Sequence, residues 1–172
     1  MLKAFLSNNK RKITLWIAGI LVVLIALGLY LGFRQTNQIR WNMHASVVDA
    51  DGRVQQTMEL TVKGSAPKDG KMKLEMQFAK DFPHRVISDT FYDEFRNIDS
   101  IPYFCGSGFT VVEDADPISE MSFALDMEAG YLLVYFQDIP GYLVVASRDG
   151  NATPEQILAH FEDFLQIKKI PQ

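Results

Sequence analysis

The single cysteine is the side chain with the clearest chemical potential in this 172-residue chain. Cys105 begins a Cys-Gly-Ser-Gly segment, which resembles the tight, glycine-flanked turns that expose catalytic side chains. A thiol enzyme also needs a histidine base, and His44, His84 and His160 are widely separated along the chain. A buried, inert cysteine beside a bulge or turn at residues 106–108 explains the segment better. The sequence therefore predicts no catalytic residue, and a thiol-dependent enzyme that uses Cys105 is the alternative.

Metal-binding and cofactor-binding motifs are not found. The histidines and the cysteine show no zinc-ligand spacing, and no glycine-rich phosphate loop follows a predicted strand. Asp49 and Asp51 precede Gly52 as in the opening of an EF-hand loop, but the later ligands are missing and a hairpin turn is preferred. Acidic residues at 89–94 and 113–116 are interpreted as solvated surface. We expect neither a metal nor a cofactor.

Methionine supplies the one pattern that exceeds background. Six methionines fall, together with Trp41, on the apolar parity of predicted strands: Met43, Met58, Met72, Met76, Met121 and Met127. Methionine is adaptable and polarizable, and it lines surfaces that bind apolar partners of variable shape. A sheet curled over these side chains would carry a lipid-like or other apolar ligand. Core filling explains the same pattern without a ligand and is the favoured interpretation.

The elements that position these residues are mostly β-strands. Apolar and polar residues alternate from residue 39 through residue 78, with Asp-Gly turns at 51–52 and 69–70. Residues 101–112, 121–127, 131–136 and 142–146 are further predicted strands. Between them, residues 89–97 predict a short helix capped by Ser88, although two strands fit the composition equally well.

The C-terminus changes to helical periodicity. Thr153, Pro154 and Gln156 supply an N-cap, a first-turn proline and a capping-box partner for an amphipathic helix over residues 154–166. Residues 131–136 are apolar on both parities, which is typical of a strand covered on both faces. We expect the apolar stripe of the helix to cover that strand.

A run of 21 residues without a charged side chain, 13–33, predicts a single-pass transmembrane signal-anchor. Lys10, Arg11 and Lys12 precede it, so the N-terminus is predicted to be cytoplasmic and the rest extracytoplasmic. Trp16 and Tyr30 lie near its ends, where aromatic rings favour the membrane interface.

Two glycines within this run, Gly28 and Gly32, form a G-x-x-x-G pair. Such a pair allows two helices to approach closely, which would give a weak homodimer. Glycine is common in membrane helices, so two incidental glycines are the favoured interpretation.

The net charge of the chain limits the classes of partner that we expect. Residues 34–172 hold 13 basic and 21 acidic side chains, a net charge of −8, which argues against a nucleic-acid partner. The sequence thus predicts a basic cytoplasmic tail (1–12), a membrane helix (13–33), a short linker (34–38) and one extracytoplasmic, antiparallel β-rich domain (39–172).

The predicted fold is a sandwich or curled, barrel-like sheet of about seven strands with a C-terminal helix. With no catalytic constellation in the sequence, we predict a non-catalytic binding or protein-interaction module at the cell membrane. Its expected partner is an unknown envelope protein or an apolar ligand.

Overall fold

The structure is a computed structural model. It describes the backbone except at residues 1, 37, 50, 84–85, 94–100, 112–117, 140 and 171–172; side chains at 2–11, 13, 31–36, 109–111 and 118–119 are also outside the description. The chain divides into two compact units, Met1–Gln38 and Ile39–Gln172. Among the described residues, the first unit contains one helix, α1 (Leu2–Thr36), and the second contains eight strands followed by two short helices.

Within the described residues, no helix combines the length and the apolar character that crossing a membrane requires. This finding overturns the predicted transmembrane signal-anchor over 13–33. The predicted integral, single-pass association with a membrane, the location at the cell membrane and the orientation of the two termini are corrected with it.

The residues assigned to membrane anchoring and helix pairing lie on α1. Lys12, Trp16 and Tyr30 are exposed, and a side chain added at Gly28 would meet no atom within 4 Å. The side chains of Lys10 and Arg11, and the surroundings of Gly32, lie outside the described residues.

The second unit is a closed antiparallel barrel in which each strand pairs with the next and the last pairs with the first. It replaces the predicted sandwich or curled sheet of about seven strands. The strands are β1 (Gln38–Asp49), β2 (Val54–Ser65), β3 (Lys71–Gln77), β4 (Val86–Asp93), β5 (Phe104–Val111), β6 (Ile118–Asp126), β7 (Tyr131–Phe136) and β8 (Tyr142–Ser147).

The first two hairpins turn where the Asp-Gly sequences predict. Gly52 and Gly70 have φ of 77° and 69°, the left-handed conformation that such turns require. At the first turn, Asp49 Oδ1 accepts hydrogen bonds from the amides of Asp51 and Arg53 at 3.0 and 2.9 Å. The Asp49 carboxylate is thus a turn-forming group, in agreement with the preferred interpretation.

Successive side chains along each strand point alternately into and out of the barrel. Aromatic and aliphatic side chains fill the interior. The predicted bulge at 106–108 is wrong, because β5 runs unbroken from Phe104 to Val111. Gly106 and Gly108 lie on its inner side, and a Cβ at Gly108 would be 2.5 Å from Cε1 of Phe91. These glycines make room for rings of neighbouring strands.

The predicted helix over 89–97 is wrong for its described part. Residues Val86–Asp93 form β4, which pairs with β3 from Lys71–Tyr92 to Gln77–Val86. Phe91 takes an inner position in the barrel, so its burial follows the two-residue period of a strand. Residues 94–97 lie outside the described part of the chain.

The predicted helix 154–166 is two helices, α2 (Pro154–His160) and α3 (Glu162–Lys168), separated at Phe161. Thr153 and Gln156 form the predicted capping box at the start of α2. The buried side chains of the pair pack on the outer face of the barrel, against residues such as Leu133 of β7 and Val145 of β8. The strand that is apolar on both parities therefore has the helical cover that its sequence predicts.

Candidate functional site

Beneath the helix pair, β5 and β6 carry a row of polar side chains on the outer face of the barrel. Cys105 is opposite Ala124, and Ser107 is opposite Ser122. One end of the row is formed by Tyr103, which precedes β5, and by Asp126, the last residue of β6. Ring and hydrogen-bond contacts link one end of this row to α2, and a lysine of α3 reaches the other end.

At the α2 end, Asp126 holds a histidine. The Nε2 atom of His160 lies 2.9 Å from Asp126 Oδ2, and the other carboxylate oxygen accepts the amides of Glu128 and Ala129 at 2.8 and 2.9 Å. The His160 side chain is 31% exposed and that of Asp126 only 12%. This contact joins the last residue of α2 to the turn between β6 and β7.

Tyr103 lies beside this pair. Its ring is perpendicular to that of Phe161, with centroids 4.8 Å apart, and its hydroxyl is buried without a hydrogen-bond partner among the described residues. Burial, reinforced by the nearby Cys105, raises the pKa of Tyr103 from 10.0 to about 12. The backbone of Phe164 lies near the hydroxyl and opposes this rise in the pKa, but the contact falls short of hydrogen-bond geometry.

At the α3 end, the Nζ atom of Lys168 donates to Ser107 Oγ at 2.9 Å, and Ser107 Oγ is 2.8 Å from Ser122 Oγ. Lys168 lies in the last turn of α3, where the helix dipole favours a positive charge. This chain of contacts fastens α3 to the barrel. Sequence reasoning missed these residues; the strand parities of β5 and β6 were the available signal.

Cys105 is the sequence-predicted candidate nucleophile. Its side chain is fully buried among apolar residues that include Phe161 and Leu133. Reactive cysteines are partly exposed in electropositive surroundings, so this environment favours a structural thiol. Among the described residues there is no group of three or more His, Cys, Asp or Glu side chains that would hold a metal ion.

The methionine candidates all lie toward the barrel interior. Met43, Met72, Met76 and Met121 have no exposed surface, and Met58 is 8% exposed. Met127 and Trp41 are half-buried and pack against the same cluster. The geometry brings the predicted lining together, but as a filled core: an apolar ligand would have to displace side chains that pack against one another.

A surface pocket of about 330 Å³ lies where the first hairpin turn meets the helix pair. Three leucines, Leu143, Leu158 and Leu165, give it an apolar floor, and Gly52 leaves room beside Leu158. The described lining also holds four carboxylates and no basic side chain, and the carboxylates are those of Asp49, Asp51, Glu155 and Glu162. Ala159 completes the lining.

Local structure positions these carboxylates. Asp49 is held in the turn and also accepts from Gln55 Nε2 at 2.7 Å, while Glu162 accepts from Gln166 Nε2 at 2.8 Å. A hydrogen bond with the Thr153 side chain lowers the pKa of the exposed Glu155 carboxyl, which is therefore ionised at neutral pH. Asp51 forms an ion pair with Arg53, whose Nη1 lies 3.3 Å from Asp51 Oδ2, so the pocket combines an apolar floor with a rim that is negatively charged mainly through Asp49, Glu155 and Glu162.

Sequence reasoning identified Asp49 and Asp51 only as turn residues and did not assign Leu143, Leu158 or the two glutamates to a site. Their common position depends on how the helices dock, which no local motif encodes. Comparison of the chain with protein-family models, with curated proteins and with solved structures gives no match.

Proposed function

We propose that this protein is a non-catalytic binding module that takes a basic, partly apolar segment of a protein partner into the acidic pocket. The observation that carries the proposal is the pocket's composition, with four carboxylates around three leucines in the space between the β1–β2 turn and the helix pair. A lysine or arginine side chain next to a leucine-sized side chain matches both parts of this surface.

The two parts make different contributions to binding. An apolar side chain that enters the pocket removes surface from water at about 25 cal/mol per Å² and supplies most of the affinity. Exposed ion pairs contribute only about 0–1 kcal/mol each, but they select a basic partner and are weakened by salt. At about 330 Å³ the pocket is at the small end of the range for ligand sites, which fits a side-chain pair better than a large ligand.

A direct test uses the full chain and a fluorescently labelled peptide of alternating leucine and arginine, with a leucine–glutamate peptide as the charge control. We expect the basic peptide to bind, the acidic peptide not to bind, and binding to weaken as salt is raised. The double variant Glu155→Gln, Glu162→Gln removes two rim charges and is expected to weaken binding by about tenfold.

The matched control is Glu128→Gln with Asp69→Asn, which makes the same change in net charge outside the pocket. Binding that falls equally in both double variants would show attraction to overall negative charge and would contradict a defined site. Thermal unfolding of each variant establishes that its fold is intact.

A further inference from the structure

The helix pair lines the acidic pocket with residues spaced as on one face of a helix. They are Glu155, Leu158, Ala159, Glu162 and Leu165, of which the last four stand three, four, seven and ten positions after the first. Residues three and four positions apart are neighbours on a helix surface. The helical stripe therefore continues from α2 into α3 along the pocket, although the two helices are separated at Phe161.

The first four of these residues enclose a small depression. Positions i, i+3, i+4 and i+7 of a helix form the four-sided hole that accepts a side chain of a facing helix in knobs-into-holes packing. The two middle positions are Leu158, which is half-buried, and Ala159, which is exposed and carries only a methyl group. Glu155 and Glu162 form the ends and are exposed. Each carboxylate is hydrogen-bonded to a neutral side chain, so its negative charge is available to a partner.

The β1–β2 turn on the opposite side leaves room but offers no strand edge. Gly52 has no side chain, and a Cβ there would be 3.9 Å from Leu158 Cδ1. Its amide donates to the carbonyl of Asp49 at 2.9 Å, and the amides of Asp51 and Arg53 donate to the Asp49 carboxylate. Because the facing wall is helical, the described lining gives an extended peptide no ladder of main-chain hydrogen bonds. A helix satisfies its backbone internally and needs none.

We propose that the partner segment is an amphipathic α-helix, which inserts a leucine-sized side chain between Leu158 and Ala159 and places lysine or arginine side chains beside Glu155 and Glu162. This inference rests on the proposed function and names the conformation of the segment that the pocket binds. In helix-in-groove recognition, the apolar anchors recur at three- and four-residue spacing. The charged pairs flank the anchor as e and g pairs flank the core of a coiled coil, where they determine the choice and orientation of the partner.

The spacing of the basic residues distinguishes a helical from an extended partner. In a helix, side chains three positions apart are neighbours and those two positions apart are not. In an extended segment, side chains two positions apart lie on the same face and those three positions apart lie on opposite faces. A helical partner therefore carries its basic residues three positions before and after the apolar anchor, and an extended partner carries them two positions away.

The test measures binding of two fluorescently labelled, alanine-rich peptides of about 15 residues to the full chain. Both contain one central leucine and two arginines. In the three-spaced peptide the arginines stand three positions before and after the leucine, and in the two-spaced peptide they stand two positions away. We expect the three-spaced peptide to bind about tenfold more tightly, although the two peptides have the same composition and charge. A proline on the side of the three-spaced peptide that faces away from the leucine is expected to abolish this advantage, because it breaks the helix.

A pair of variants at one position tests where the leucine enters. Ala159→Gln fills the depression without a change in charge, and glutamine is a good helix former. We expect this variant to bind the three-spaced peptide about tenfold more weakly. Ala159→Ser is the matched control, because it keeps a small side chain at the same exposed position, and it is expected to bind as the wild type does. Thermal unfolding establishes that both variants are folded.

Equal or tighter binding of the two-spaced peptide, or binding of the alternating leucine–arginine peptide alone, would overturn the helical partner and leave the binding of a basic, partly apolar segment in place. Normal binding of the three-spaced peptide by folded Ala159→Gln would likewise contradict the proposed contact. If none of the three peptides binds, the proposed function itself fails, and this inference fails with it. If Ala159→Gln does not fold, the comparison of the two spacings on the wild-type chain decides the question.

Discussion

Tyr103 shows how a single residue links burial to pH dependence. Its hydroxyl is removed from water without a hydrogen-bond partner among the described residues, and such a group destabilises the native state. Burial also raises its pKa to about 12, so the folded chain keeps this proton at a pH at which the unfolded chain has lost it.

Tyr103→Phe removes the hydroxyl and keeps the ring against Phe161. We expect the free energy of unfolding at neutral pH to rise by up to about 1 kcal/mol. Between pH 10 and 12 the unfolded state loses the Tyr103 proton first, so wild-type stability falls as the pH rises through this range. The variant lacks this part of the fall. Urea unfolding at pH 8 and pH 11 measures both effects.

The control for this experiment is Tyr142→Phe, because Tyr142 is 42% exposed. A loss of stability in Tyr103→Phe at neutral pH, with no loss in the control, would show that the buried hydroxyl has a stabilising partner and would contradict the interpretation.

At the scale of elements, Asp126 connects three parts of the fold: the end of β6, the turn that follows it and α2. One oxygen accepts the Glu128 and Ala129 amides and the other contacts His160. The turn depends on the hydrogen bonds from the two amides, and α2 depends on the contact with His160. Substitutions of Asp126 and of His160 are therefore expected to lower the free energy of unfolding by different amounts.

Asp126→Ala is expected to lower the free energy of unfolding by about 1–3 kcal/mol, and His160→Ala by about 1 kcal/mol, because the first removes two further hydrogen bonds. Chemical denaturation of both single variants and of the double variant gives the coupling energy. A double variant that loses the full sum of the single effects would show that the Asp126–His160 contact does not stabilise α2.

Most strands were predictable because alternation is local, and so was the start of α2, since the capping box lies within four residues. Features that depend on distant residues were not. The glycines of β5 suggest a bulge until Phe91 and Phe123 supply the reason for the missing side chains. The described part of the helix predicted over 89–97 suggests a helix until β3 pairs with it.

The candidate pocket also depends on residues that are distant in the sequence. Its rim comes from residues about a hundred positions apart, and its floor comes from β8 and both helices. The chemistry of each residue was visible in the sequence, but their common location was not. The predicted membrane span shows the converse: hydropathy alone suggested an element that the described structure does not support.

For the molecule as a whole, the filled barrel predicts the order in which methionines oxidise. In folded chain treated with hydrogen peroxide, the half-buried Met127 is expected to form sulfoxide before Met43, Met72, Met76 and Met121, which have no exposed surface. Peptide mapping by mass spectrometry follows each site. In urea, where the chain is unfolded, all five methionines are expected to oxidise equally. Equal oxidation in the folded chain would show that the interior is accessible and would support the apolar-carrier alternative.

Closure of the barrel through β1 and β8 determines when the fold can be completed. The pair joins His44 to Ser147 and Asp49 to Tyr142, so the first strand to leave the ribosome waits for the last. Contacts between such distant parts of a chain form slowly. During synthesis, the edge of β1 that β8 will occupy therefore stays unpaired, and it is open to other nascent chains until β8 emerges.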